Sequence, residues 1–151
     1  MDIKEKSLSE WSGGRFNKPN TLFNSPLEVL STSGNFKSGK LIDITLITSD
    51  FKFRPQIDLL FFSEKIDSNM KVGDNLNLPY DILKRCTGKV TVLDSDYSTI
   101  GSCSVGNLFN VNMTFQYKEL YVIVVYQSLT DIEMPKNSMN INIGYELGVC
   151  A

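Results

Sequence analysis

Leu120-Tyr121-Val122-Ile123-Val124-Val125-Tyr126 is an unbroken apolar run, rich in β-branched and aromatic residues, and it is closed by Gln127 and Ser128. A run this short suits a strand covered on both faces, whereas a helix would need a longer periodic pattern to bury one side. Each side chain buried along it contributes about 1.5–3 kcal/mol relative to exposure, before the entropy of ordering the chain is subtracted. The run is predicted to be the central strand, with the rest of the chain folded to cover it.

Working outward from this run, Met139, Ile141, Ile143, Tyr145 and Leu147 alternate with Asn140, Asn142, Gly144 and Glu146, which predicts a last strand with one wet face. Upstream, residues 100–105 and 113–117 read as weaker strands flanking a turn at Gly106-Asn107, and residues 89–93 as a short strand. Residues 41–48 set Ile42, Ile44 and Leu46 against Asp43 and Thr45, a half-buried strand. Residues 56–62 oppose Ile57, Leu59 and Phe61 to Asp58, Leu60 and Phe62, so this strand is buried on both faces toward its end. A first strand over residues 22–30 is interrupted by Pro26, which cannot donate to a ladder and favours an edge or a bulge. Residues 67–79, with Gly73-Asp74-Asn75, read as a loop, and residues 80–86 as one or two helical turns. Eight or so strands with almost no helix predict an all-β fold, an antiparallel β-sandwich for which the jelly roll is one arrangement. The strand order is not readable at this level.

Residues 1–20 are polar, keep no period of 2 or 3.6, and contain Gly13-Gly14 and Lys18-Pro19-Asn20. They are predicted to form an extended N-terminal arm, with residues 21–151 as a single β-sandwich domain. Trp11, Arg15 and Phe16 stand out in the arm as residue types enriched at interface hot spots, which makes them candidate partner-binding residues. The other reading is that they fold back onto their own sandwich.

With 151 residues the chain buries about two-thirds of the surface it exposes when unfolded, so no staple is required. No apolar segment approaches the roughly 20 residues of a membrane helix, and the N-terminus lacks the basic-then-apolar order of a signal peptide. The expectation is a soluble protein made in the cytoplasm, with no membrane partner. Cys86, Cys103 and Cys150 are odd in number and far apart, which suits reduced structural thiols. The absence of histidine removes the commonest general base and the commonest metal ligand. A net charge of −2 lacks the basic excess of phosphate-backbone binding, so nucleic acid is not an expected partner.

Two motifs come close to known sites and fail. Residues 34–41 place glycine, four residues, then Gly39-Lys40, but Leu41 stands where a phosphate loop needs Ser or Thr, and a strand rather than a helix follows. Asp94-Ser95-Asp96 begins like a calcium loop, yet Thr99 replaces the turn glycine and Val105 the closing glutamate. These carboxylates, like Asp131 and Glu133, lie in turn-like polar stretches and read as solvated. No catalytic, cofactor-binding or metal residue is assigned, and no cofactor is expected.

The stretches Glu119-Leu120-Tyr121-Val122-Ile123-Val124-Val125 and Ser138-Met139-Asn140-Ile141-Asn142-Ile143-Gly144-Tyr145-Glu146-Leu147, with the polar segment 130–137 between them, resemble small virion proteins of tailed bacteriophages. Residues 39–44, Ile57-Asp58-Leu59-Leu60-Phe61-Phe62 and Gly73-Asp74-Asn75 look like the matching earlier parts, so the resemblance runs over residues 22–147. The asparagine-rich, histidine-free composition is similar to that of crAss-like gut phages. The resemblance implies a non-enzymatic structural protein of the virion: an auxiliary or decoration protein bound to the capsid that reinforces or ornaments the head, or part of a head fibre. Its implied partners are the major capsid protein and neighbouring virion proteins, with homo-oligomerisation left open and synthesis in the host cytoplasm. Residues 1–20 depart from the pattern. The alternative from the residues themselves is a carbohydrate- or receptor-binding β-sandwich module, which would show exposed, clustered aromatics; an enzyme comes third.

Overall fold

The computed structural model describes residues 2–31, 36–66, 70–109, 111–116 and 118–149. Cys150, Tyr117 and the Gly34-Asn35 start of the near-phosphate loop lie outside the described residues. In chain order the strands are β1 (Asp2–Leu8), β2 (Gly14–Phe16), β3 (Thr21–Ser31), β4 (Phe36–Thr48), β5 (Ile57–Phe62), β6 (Cys86–Val92), β7 (Tyr97–Ile100), β8 (Cys103–Leu108), β9 (Met113–Phe115), β10 (Glu119–Tyr126), β11 (Ile132–Met134) and β12 (Met139–Val149). One helical turn, α1 (Tyr80–Leu83), precedes β6. No helix among the described residues is long and apolar enough to cross a membrane.

The first sheet has the order β1-β12-β4-β8-β7, with β9 also paired to β4, and the second the order β3-β10-β5-β6. Every pairing is antiparallel. When the short β2, β7, β9 and β11 are set aside, eight long strands remain. Their order is first-eighth-third-sixth in one sheet and second-seventh-fourth-fifth in the other. Two interleaved Greek keys of this kind make a jelly roll. The all-β antiparallel sandwich expected from the sequence is the observed fold.

β10 is an inner strand, with β3 on one side and β5 on the other. Its Leu120, Val122, Val124 and Tyr126 enter the main core between the sheets. On its opposite face, Ile123 and Val125 join Leu22, Leu60, Phe62 and Ile66 in a second apolar cluster. Met70, Leu76, Leu78 and Ile82, from the crossover between β5 and β6, pack onto that cluster. A continuous apolar strand is thus covered twice, once by the facing sheet and once by the β5–β6 connection of its own sheet.

β12 behaves as its alternation predicts: Met139, Ile141 and Ile143 are buried while Asn140 and Asn142 face outward, half-buried. In β4 the alternation is broken. Gly144 of β12 pairs with Asp43 but Tyr145 pairs with Leu41, so Ile42 is an extra, bulged residue. Leu41, Ile44 and Leu46 consequently fill the core and Ile42 stays half-buried. The predicted strand over residues 100–105 is instead a hairpin that turns at Gly101-Ser102, with Gly101 in the left-handed region at φ 61°. Gly106 and Asn107 lie inside β8 rather than in a turn.

The N-terminal arm is corrected by the structure. β1 pairs with β12 from Asp2 opposite Leu147 to Leu8 opposite Ile141, and so forms one edge of the first sheet. Charged Lys4, Glu5 and Lys6 on this edge explain the polar sequence, because charges on an outer strand discourage edge-to-edge aggregation. Residues 2–8 are a strand of the sandwich, not an extended segment beside it.

Candidate interaction surface

At one end of the jelly roll, residues 9–20 and residues 127–138 meet. They are held by the ribbon of β2 and β11, with Phe16 opposite Ile132, Arg15 opposite Glu133 and Gly14 opposite Met134. Gly13 enters the ribbon at φ 71°, and a Cβ there would lie 2.7 Å from both Lys136 N and Met134 O, so the close approach requires glycine.

Beneath the ribbon, rings pack in sequence. Phe16 lies 4.6 Å from Phe23 and 5.5 Å from Tyr126, and Trp11 lies 5.9 Å from Phe23, centroid to centroid. Such pairs add about 0.5–1.5 kcal/mol each beyond the area they bury. The polar tips are engaged: Trp11 Nε1 donates to Leu8 O at 2.9 Å, and the Tyr126 hydroxyl donates to Thr130 O at 2.6 Å. Asn137 fixes the segment from the other loop, its Oδ1 accepting from Trp11 N at 2.8 Å while its own N donates to Trp11 O at 2.9 Å.

The three candidate partner residues therefore fall in two classes. Trp11 is 3% exposed and Phe16 is 2% exposed, so both anchor the chain to its own core and present nothing to a partner. The burial signal was available in principle, since both rings flank a Gly-Gly turn that lets the chain double back. Arg15 is exposed, and its guanidinium meets Asp131 through two bonds, Nε to Oδ1 at 3.0 Å and Nη2 to Oδ2 at 2.5 Å. That pair holds the Asp131 carboxyl below, and the Arg15 guanidinium above, its ordinary pKa, mainly through the hydrogen bond. Being solvent-exposed, it adds little to stability.

Beside the ribbon an open cleft of about 480 Å³ is lined by Glu10, Trp11, Ser12, Asn24, Lys136 and Asn137. Asn24 is buried, and its Oδ1 accepts from Ser12 N and Ser12 Oγ, both at 2.9 Å. Ser12, Asn24 and Asn137 of this cleft are holding the loops together. Elsewhere Asp96 Oδ2 accepts from Leu93 N at 2.7 Å, so Asp94-Ser95-Asp96 is a closed turn. The neighbouring Tyr97 hydroxyl donates to Pro55 O at 2.7 Å, and burial pushes its pKa up. Among the described residues no three His, Cys, Asp or Glu side chains converge as metal ligands would. Gly39, in the near-phosphate motif, is a position where the Phe115 ring would block a Cβ, so its glycine serves packing.

Sequence reasoning missed the exposed apolar side chains that remain. Phe51, Leu93, Ile100, Phe109 and Leu129 project from connections or strand ends, and Tyr80 and Leu83 from α1. Ile47 is 38% exposed on the outer face of β4. Its phase was the available signal, because it follows Asp43 and Thr45 on the polar side of the alternation.

No protein-family model matches the chain, and no curated protein matches it in sequence. Among solved structures it is similar to a maize chlorotic mottle virus structure determined by single-particle analysis. The identity is 9% over 99% of this chain and 95% of that one, with a TM-score of 0.33. It is also similar to the infectious bursal disease virus VP2 subviral particle, at 8% identity over 98% of this chain and 33% of that one, with a TM-score of 0.37. This chain spans a third of the VP2 chain's length. A third similarity is to the C-terminal domain of EclA, a sugar-binding protein, at 10% identity over 98% and 79% of the two chains, with a TM-score of 0.26. Overlaps of this size carry no weight on function, and the jelly roll stands on the strand order itself.

Proposed function

We propose that the chain is a non-enzymatic structural protein of a virus particle, an auxiliary or decoration protein bound to the major capsid protein of a tailed-phage head. The observation that carries this reading is the jelly-roll strand order, an architecture used by viral capsid domains and by lectins. The resemblance of residues 22–147 to small phage virion proteins supports the first of these two uses. The loop-end chemistry agrees with it: Asn24 ties residues 10–12 to the sandwich and Asn137 ties the two loop segments to each other, as a rigid building element requires. A lectin-like use would call for a platform of exposed rings. Among the described residues the exposed rings are Phe51, Tyr80 and Phe109, one on each of three connections, and no ring–ring contact joins them.

The test is mass spectrometry of particles purified from the virus that encodes the chain, with copy-number estimation. Recovery at a fixed number of copies per capsid is expected. A protein abundant in infected cells but absent from purified particles would overturn the reading, and specific retention on a glycan array would replace it with the carbohydrate-binding one.

A further inference from the structure

The outer face of the first sheet carries two rows of uncharged side chains, each across four of the five strands β1-β12-β4-β8-β7. Ser7, Asn142, Thr45 and Asn107 stand opposite one another across β1, β12, β4 and β8. The next row is Asn140, Ile47, Val105 and Ser98 across β12, β4, β8 and β7. Within the first row Thr45 Oγ1 donates to Asn107 Oδ1 at 2.8 Å, and between the rows Ser7 Oγ donates to Asn140 Oδ1 at 2.7 Å and Asn140 Nδ2 to Asn142 Oδ1 at 3.1 Å. Charge returns in the following row, where Glu5 and Asp43 flank Gly144, and at Asp96, next to Tyr97 at the β7 end of the first row. Ile47 and Val105 belong to neither apolar cluster of the molecule, and Ile100 beside Cys103 extends the apolar part toward the β7 edge.

We infer that this face is a contact between two copies of the chain, packed sheet to sheet about a twofold axis. The argument for a second copy is chemical self-complementarity. In an isologous contact each residue near the axis meets its own counterpart, so a carboxylate or ammonium there would meet its like. Amides and hydroxyls both donate and accept, and an apolar side chain packs against itself, so every residue type in these rows tolerates its own image. A heterologous partner selected by opposite charge would leave charge on the face. The arrangement also has an interface's anatomy, with Ile47 and Val105 central and Asn, Ser and Thr around them. The ten residues of the two rows and the Ile100–Cys103 pair, at a strand spacing of about 4.8 Å and a row spacing of about 6.8 Å, cover on the order of 330 Å² a side. The two sides together, about 650 Å², fall below the size of stable specific interfaces, so the association is expected to be transient and to show only at high concentration.

The test uses the isolated full chain and so is independent of the virion reading. Sedimentation velocity from low to high micromolar concentration should show the mass moving from 17.0 kDa toward twice that value. Ile47→Glu and Ile47→Lys should each stay monomeric over the same range, because Ile47 lies on the central strand and like charges would meet. An equimolar mixture of the two should recover association. Tyr80→Glu, at a 78%-exposed position on the cover of the other sheet, should behave as the parent chain. If the Ile47 variants melt early, Asn107→Asp provides the same loss from an exposed position. A parent chain that stays at 17.0 kDa throughout, an Ile47→Glu chain that associates as the parent does, or a charge-swapped mixture that remains monomeric would each overturn the inference.

Discussion

The two sheets solve the same burial problem in opposite ways. In the second sheet, β10 is apolar at nearly every position and both of its faces are dry, one against the first sheet and one beneath the β5–β6 crossover. In the first sheet, β12 alternates apolar with polar residues, and its outer face stays partly wet. The difference shows that a continuous apolar strand announces a second cover that must come from somewhere in the chain. Here it comes from a connection whose apolar residues are too scattered to read as a core.

The largest expected effect is at the centre of the doubly covered sheet. Val124→Asp places an unpaired carboxylate at a fully buried position and should abolish cooperative folding, losing more than about 4 kcal/mol. A soluble variant with a sharp melting transition would show that β10 is not the core strand.

Why some of this was legible in the sequence and some was not follows from the same contrast. β10 and β12 declare themselves because their burial is periodic or continuous within one strand. β1 does not, because an edge strand carrying Lys4, Glu5 and Lys6 buries only Leu8 on its described side chains and imitates a polar tail. Trp11 and Phe16 then look like anchors for someone else, although the ribbon at Gly13-Gly14 turns them into their own core. The bulge at Ile42 is set by pairing with β12 about 100 residues away, and the strand order is set by equally long-range pairing that no local pattern encodes.

Ile123→Ala tests the second cover itself. Removing a fully buried side chain from that cluster should cost about 2–5 kcal/mol in denaturant unfolding. A cost below about 1 kcal/mol would mean that the crossover rests on the sheet without forming a core. At the loop end, Gly13→Ala forces a side chain into a left-handed, backbone-crowded position and should cost about 1–3 kcal/mol. An unchanged melting temperature would detach the β2–β11 ribbon from the fold. The wet face should respond least: Asn142→Asp in dilute solution should change stability by no more than about 0.5 kcal/mol.

The Arg15–Asp131 pair supplies a pH-dependent comparison. Because the folded Asp131 carboxyl titrates below 3.8, its contribution is present above that value and is lost as pH falls through the lower, folded value. The parent chain and Asp131→Asn should therefore differ slightly in melting temperature near neutral pH and converge in acid. A difference that persists fully in strong acid would assign the effect to something other than this ion pair.

Closure of β10 on both faces is tested most directly by native-state hydrogen exchange resolved to single amides. The amides of residues 120–126 should exchange only through global unfolding, with protection equal to the full stability of the chain. Exchange of alternate or consecutive amides in this run through a lower-energy local opening, while β12 and β4 remain protected, would contradict a doubly covered central strand.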